Sequence, residues 1–194
     1  MAFEQHSRNY SMMQLELSKH NWPFSHKIKR LTWLFAWYFF GYRGPRFLSP
    51  WRILLLRLFG AKVSSTALIC GHVKILMPWN LKIDDFVAIS EGVNIYNFGY
   101  VSIDNNSCIS QGVWLCTGSH DYTRPDFPLV WDDIHIGSSV WVASEAFIHP
   151  GVHIGDGAVI GARSVVTKNM PAGMVCAGNP CNPLKQRAKT DIPL

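Results

Sequence analysis

Acidic side chains are scarce in this 194-residue chain, which holds 13 Asp and Glu against 18 Lys and Arg. They are also unevenly placed. Residues 1–62 contain 10 basic and 2 acidic side chains, a net +8, whereas residues 63–194 contain 8 basic and 11 acidic, a net −3. The five cysteines (Cys70, Cys108, Cys116, Cys176, Cys181) form no CxxC pair and are odd in number. That argues against a zinc ribbon or a disulfide-stapled domain and suits reduced thiols in a cytosol. No apolar run approaches the roughly 20 residues of a spanning helix. The polar start Met1-Ala2-Phe3-Glu4-Gln5 lacks the apolar core of a secretory signal, so a cytoplasmic location is expected. No recognised nucleic-acid motif accompanies the basic half, so no nucleic-acid partner is expected. A hydrophobic content of 48% argues against disorder and is ample for one domain with attachments.

What the chain does contain is a fixed six-residue register. Ile136, Val142, Ile148, Ile154, Ile160 and Val166 fall on every sixth position, and the fifth position of each hexad is small or apolar: Val140, Ala146, Val152, Ala158, Ser164. The frame runs backwards in triplets: Val63-Ile69-Ile75, Ile83-Ile89-Ile95 and Ile103-Ile109-Leu115. Hexads of this kind build a β-helix, one short strand and one corner per hexad, with the aliphatic residue pointing into the prism. A β-sandwich also alternates, but its strand spacing would not hold this phase. Gly137, Gly155 and Gly161 follow the aliphatic residue and are expected to supply positive φ at the corners. The steps from 63 to 83 and from 83 to 103 are 20 residues each, two more than a coil of three hexads. The step from 103 to 136 is 15 residues longer than a coil and marks an extruded loop at 117–133, the kind of insertion that usually carries function.

Three regions follow: an N-terminal arm and helical cap over 1–60, the β-helix over 61–168, and a tail over 169–194. The tail reads as an extended strand followed by a short helix or disorder. Residues 1 to about 22 read as a polar, partly helical or flexible arm. Within 23–60, Leu31 to Phe40 and Trp51 to Phe59 are apolar runs bracketed by Lys and Arg. They suit helices that close the open end of the first coil. They also suit a peripheral membrane contact, with attachment to the cytoplasmic face of a membrane.

His120, in Cys116-Thr-Gly-Ser-His-Asp-Tyr122, stands at the edge of the last regular hexad before the loop, where a histidine can be held rigidly and move a proton near neutral pH. Trp114, Phe127 and Trp131 lie near enough in sequence to restrict a pocket there. His135, His149 and His153 raise the alternative of a metal-binding β-helix, but their phases differ and reproduce no ligand pattern, so no metal site is expected. A noncatalytic scaffold is the remaining alternative.

Residues from about Trp51 to Lys185 resemble the left-handed β-helix acyltransferases. They are most similar to the colanic-acid-biosynthesis acetyltransferases, relatives of the galactoside and maltose acetyltransferases. The carrying residues are Arg52 to Lys62, Leu115 to Tyr122, Gly155 to Lys168 and Cys176-Ala-Gly-Asn-Pro180. The resemblance implies a left-handed parallel β-helix and a homotrimer with active sites between prisms. It also implies acetyl-CoA as donor and a sugar hydroxyl as acceptor, in surface polysaccharide biosynthesis, the acceptor being free or lipid-linked. N-acetylation of an amino-sugar nucleotide would use the same base and donor. His120 matches the family's catalytic histidine, the general base. Asn94 matches an acceptor-side asparagine, and Asp121 is a second acceptor-side candidate, either orienting His120 or facing water. Trp141, Ser144 and Ala162 would line the CoA groove, with Thr167, Lys168, Lys185 and Arg187 toward pantetheine and phosphates. An N–H near Ala143 or Ser144 would meet the oxyanion. The chain departs from the family at Asn182, where an arginine is usual.

Overall fold

The computed structural model describes residues 13–18 and 22–188. The hexads become three faces of a parallel β-helix. Face A stacks Lys62–Val63, Leu81–Ile83, Val101–Ile103, Ile134–Ile136 and His153–Ile154. Face B stacks Leu68–Ile69, Ala88–Ile89, Cys108–Ile109, Trp141–Val142, Val159–Ile160 and then Met174–Gly178. Face C stacks Lys74–Ile75, Asn94–Tyr96, Trp114–Cys116, Phe147–Ile148 and Val165–Val166. One column of side chains per face fills the interior. On face C the register aligns Ile75, Ile95, Leu115, Ile148 and Val166, each at most 4% exposed. Burying each such side chain contributes roughly 1.5–3 kcal/mol. On face B the column ends with Cys176 above Ile160, so that thiol takes an aliphatic position.

The corners correct one expectation. Positive φ recurs at every sixth residue, Ser139, Glu145, Gly151, Gly157 and Arg163, two positions after the predicted glycines. Gly137 and Gly155 are required for close approach instead. A Cβ on Gly155 would lie 2.6 Å from the Ala172 nitrogen, and one on Gly137 2.9 Å from the Asp156 nitrogen.

The open edge of the first coil presents carbonyls with no coil beneath them, and the N-terminal segment supplies donors for them. Helix α1 (Phe24–Ala36) runs into a π-helical turn, Trp37–Gly41, and α2 spans Ser49–Leu58. Trp33 Nε1–H donates to the Ile75 carbonyl and Trp37 Nε1–H to that of Val73, each at 2.8 Å. Arg57 Nε–H donates to the Val63 carbonyl at 2.6 Å, and Ser49 Oγ accepts the Ile69 N–H at 2.8 Å. Arg52 is fully buried and donates to five carbonyls: Gly41, Arg43, Gly44, Pro45 and Ile69. Burial pulls its pKa down. Aliphatic runs thus bury Ile53, Leu55 and Leu56 on the coil, while indole and guanidinium groups satisfy polar edge atoms that would each otherwise cost about 1–3 kcal/mol.

The other end closes differently. Met174–Gly178 and Cys181–Gln186 form an antiparallel hairpin on the last coil, so the predicted short helix is absent over the described part of the tail. Lys189 and the residues after it lie outside the described residues, as does most of the predicted N-terminal arm. Among the described residues no helix is long and apolar enough to cross a membrane.

Candidate active site

Three consecutive coils carry their extra residues at one corner, between faces C and A. In the first coil these are Pro78–Asn80, in the second Asn97 to Tyr100, and in the third the loop. Asn97 is fully buried there. Its Oδ1 accepts the Met77 N–H at 3.0 Å and its Nδ2 donates to the Met77 and Asn80 carbonyls. One coil up, buried Thr117 accepts the Gly99 N–H on Oγ1 at 2.9 Å. Asp133 Oδ1 accepts the Tyr100 N–H at 2.6 Å. The widened corner is therefore a braced platform.

From it rises an antiparallel hairpin, Gly118–His120 against Leu129–Trp131, with His120 opposite Leu129. Gly118 lets the strand pass closely over Phe98, since a Cβ there would meet that ring at 2.7 Å. The His120 ring stacks on Phe127, centroids 4.3 Å apart and 4° from parallel, and its Nδ1 lies 2.9 Å from the Phe127 carbonyl. A carbonyl can only accept, so Nδ1 carries the proton and Nε2 is the basic nitrogen. Phe127 itself has φ of 41°, a left-handed backbone held by the loop that aims its carbonyl at the histidine. Asp121 Oδ1 is engaged by the Thr123 N–H at 3.0 Å and hydroxyl at 2.6 Å, which hold its carboxyl below the usual range. The Nδ1 partner that orients His120 is thus the Phe127 carbonyl, and Asp121 shapes the turn that brings Phe127 back. The Gln14 N–H reaches over to the Pro125 carbonyl at 2.9 Å, so the described part of the arm touches the same loop.

Asn94 lies on face C between Lys74 and Trp114, on the face that leads into this hairpin. Trp141 stands on face B, half exposed, its indole N–H donating to Ser110 Oγ at 3.0 Å. Ser144 and exposed Ala162 lie at the corner between faces B and C. The Ala143 N–H is committed to the Ile160 carbonyl at 2.9 Å, so of the two oxyanion candidates Ser144 is the one outside that ladder. Thr167 and Lys168 are exposed beyond the last face C strand, and Lys168 Nζ donates to Asn182 Oδ1 at 2.8 Å. The residue that departs from the family pattern therefore holds the lysine in place. Lys185 is exposed on the second tail strand, opposite Val175. Arg187 Nη1 donates to the Ser139 and Gly157 carbonyls at the corner between faces A and B, stapling the tail there. One chain therefore sets His120 at the C–A corner, Asn94 at the start of the face C strand that leads to that corner, and Trp141, Ser144 and Ala162 on face B and at the B–C corner. His135 and His153 correct the reading of their phases: they stack on face A, ring centroids 4.6 Å apart, with His135 on Asp104 at 3.3 Å and Ser102 at 2.7 Å. Among the described residues no group of three His, Cys, Asp or Glu could hold a metal ion.

Sequence reasoning passed over Phe127 as an anchor and over Thr117 and Asn97 as braces. The 20-residue spacing of Met77, Asn97 and Thr117 was the available signal for the shared corner.

The family pattern of bacterial transferase hexapeptides (six repeats) matches residues 133–168. WcaF of Escherichia coli (strain K12), provisionally named a colanic acid biosynthesis acetyltransferase, is 44% identical over 158 residues, 81% of this chain and 84% of its own length. The galactoside O-acetyltransferase of the same organism is 39% identical over 89 residues, 44% of each chain. A solved galactoside acetyltransferase in complex with coenzyme A superposes with a TM-score of 0.74 at 28% identity, over 90% of this chain and 89% of its own. With the parallel coils, the braced hairpin and this extent of likeness, the chain belongs to the hexapeptide-repeat transferases, as one of their acetyltransferases.

Proposed function

We propose that the protein transfers an acetyl group from acetyl-CoA to a sugar hydroxyl during assembly of a surface polysaccharide, with His120 as general base. The observation that carries this reading is the lock on His120, Nδ1–H on the Phe127 carbonyl and ring on the Phe127 ring. It makes Nε2 the nitrogen that takes a proton without any rearrangement of the imidazole. Nε2 removes the acceptor hydroxyl proton as the oxygen attacks the thioester carbonyl. The resulting oxyanion is met by a backbone N–H, for which Ser144 is the candidate. Collapse breaks the carbon–sulfur bond, and the imidazolium returns its proton to the departing thiolate. General base catalysis of this kind is worth about 100- to 10,000-fold.

In a triangular prism the C–A vertex lies opposite face B. His120 at that vertex and Trp141 on that face suit a site built from two copies, the hairpin of one against the Trp141 face of the next, and hence a closed homotrimer. Trp141, Ser144 and Ala162 then supply the apolar wall for pantetheine. Lys168, positioned by Asn182, and Lys185 supply charge for phosphates, with Thr167 beside them. Asn94 and the Asp121 turn frame the acceptor side. A sugar carried on a lipid suits the basic, apolar end of the molecule.

The test is thiol release from acetyl-CoA over sugars, nucleotide sugars, amino-sugar nucleotides and lipid-linked glycans, wild type beside His120→Ala. Acceptor-dependent turnover that falls about 100- to 10,000-fold in the variant supports the reading. Turnover that survives the substitution removes the base, and failure to bind acetyl-CoA removes the donor. Preference for an amine over a hydroxyl moves the assignment to N-acetylation.

A further inference from the structure

Helix α1 carries two apolar stripes, and the fold uses only one. Trp33 and, a turn later, Trp37 face the coil. Phe24, Ile28, Leu31, Phe35 and Phe39, at spacings of three and four residues, fall on the opposite side of the helix and are 47–76% exposed. Helix α2 repeats the arrangement, burying Arg52, Ile53, Leu55 and Leu56 and presenting Trp51, Leu54 and Leu58 outward. The Trp51 indole N–H donates to the Phe40 carbonyl at 2.7 Å, which joins the two outward faces. Phe35, Phe39 and Tyr38 pack ring against ring on the outside. Of the 23 large hydrophobic residues exposed among the described residues, 12 lie within residues 24–58, far more than scattered surface apolars explain.

The segment that forms this surface carries charge of one sign, with Asp85 of the second coil reaching its edge at Ser64 and Thr66. No Asp or Glu occurs between Leu17 and Ile83. Lys27, Lys29, Arg43, Arg46, Arg57 and Lys62 are exposed over the same stretch. An open cleft of about 750 Å³ beside it is lined by Arg46, Phe47 and Pro50 together with Thr66 to Leu68 of the first coil. We infer that the end of the molecule formed by α1, the π-helical turn and α2 docks on an anionic phospholipid bilayer, aromatic and leucine side chains entering the acyl boundary and the cations meeting headgroups. Charge complementarity selects this occupant: a second copy placed end to end would set the cations of this segment against their own kind, and the segment itself supplies no carboxylate.

The placement also bears on the acetyl transfer proposed above, and this clause alone rests on it. Trp22, just before α1, stacks near Phe98 and Trp131, ring centroids 6.1 and 6.0 Å away, at the base of the His120 hairpin. His120 leaves the third coil, about 10 Å above the first at the usual strand spacing. A sugar on a lipid headgroup would meet the base at that height.

The experiment is flotation of the full-length protein with vesicles of phosphatidylcholine alone or of phosphatidylcholine mixed with phosphatidylglycerol, in low and high salt. Expected is binding to the anionic vesicles that is at least ten-fold weaker on phosphatidylcholine and weaker in high salt. The double variant Leu31→Gln/Phe35→Gln and, separately, Arg46→Glu should each weaken binding about ten-fold, while circular dichroism and acetyl-CoA turnover with a soluble acceptor stay unchanged. Absence of vesicle binding by the parent, or binding indifferent to both variants, overturns the inference. So does a loss of oligomer mass in the apolar variant, which would make the surface a contact between copies. Because flotation needs no acceptor, it stands or falls separately from the transferase reading.

Discussion

The regular coils and the C–A corner use the same backbone for opposite purposes. In the coils every inward residue is interchangeable in kind, and ladders from Ile75 to Val166 or from Ile69 to Cys176 succeed by repeating one solution. At the corner nothing repeats: Asn97, Thr117 and the hairpin each solve a different local problem, and together they aim one histidine. Redundancy belongs to stability and singularity to chemistry. Substitutions in the two regions should therefore separate the two properties.

The largest separation is expected at His120. His120→Ala should lower turnover about 100- to 10,000-fold while moving the thermal midpoint by little, since the ring is only half buried on an exposed hairpin; stopped-time thiol release beside calorimetry reads both. Arg52→Met, on the structural side, should destabilise by about 3–5 kcal/mol, because several carbonyls lose a buried donor at once. Chemical denaturation measures it, and a variant as stable as the parent would show that water replaces the guanidinium. Ile148→Ala should cost about 2–5 kcal/mol with the Michaelis constant for acetyl-CoA unchanged. The smallest effect is at Asp121. Thr123 holds its carboxyl low, so its contribution to the loop is complete above the ordinary carboxylate range and is lost only as pH falls through the lowered value. Asp121→Asn should leave the fold intact and change activity modestly at neutral pH, and the Asp121 carboxyl signal in a pH-resolved spectrum should show no titration of its own from pH 8 to 5. Protonation of that carboxyl within this window would break that account.

How much of this was legible beforehand follows the same division. The hexad phase is local, so Ile136 to Val166 declared the β-helix and its interior without help. The length excess declared the loop, and likeness to known acetyltransferases singled out His120 as the candidate base. The left-handed corners were misplaced by two residues, because Ser139, Glu145 and Arg163 carry no glycine signal, while the glycines nearby answer to a neighbouring coil 18 residues away. The apolar runs of the N-terminal segment were legible as a cap or a surface. Their division into a packed stripe and an outward one required the direction of each helix face, and the tail hairpin required the edge of the last coil.

The sequence by itself determined that six-residue repeats of strand and corner would stack, which residues would point inward, and where the stack would be interrupted, because each is a matter of period and length. Only the tertiary structure decided that Phe127, seven residues on, supplies the carbonyl that sets the tautomer of His120. It also decided that Asn182 holds Lys168 and that tryptophan and arginine side chains close the first coil. Each of those pairs a polar atom with a partner whose position depends on how the coils stack, and no local pattern encodes that distance.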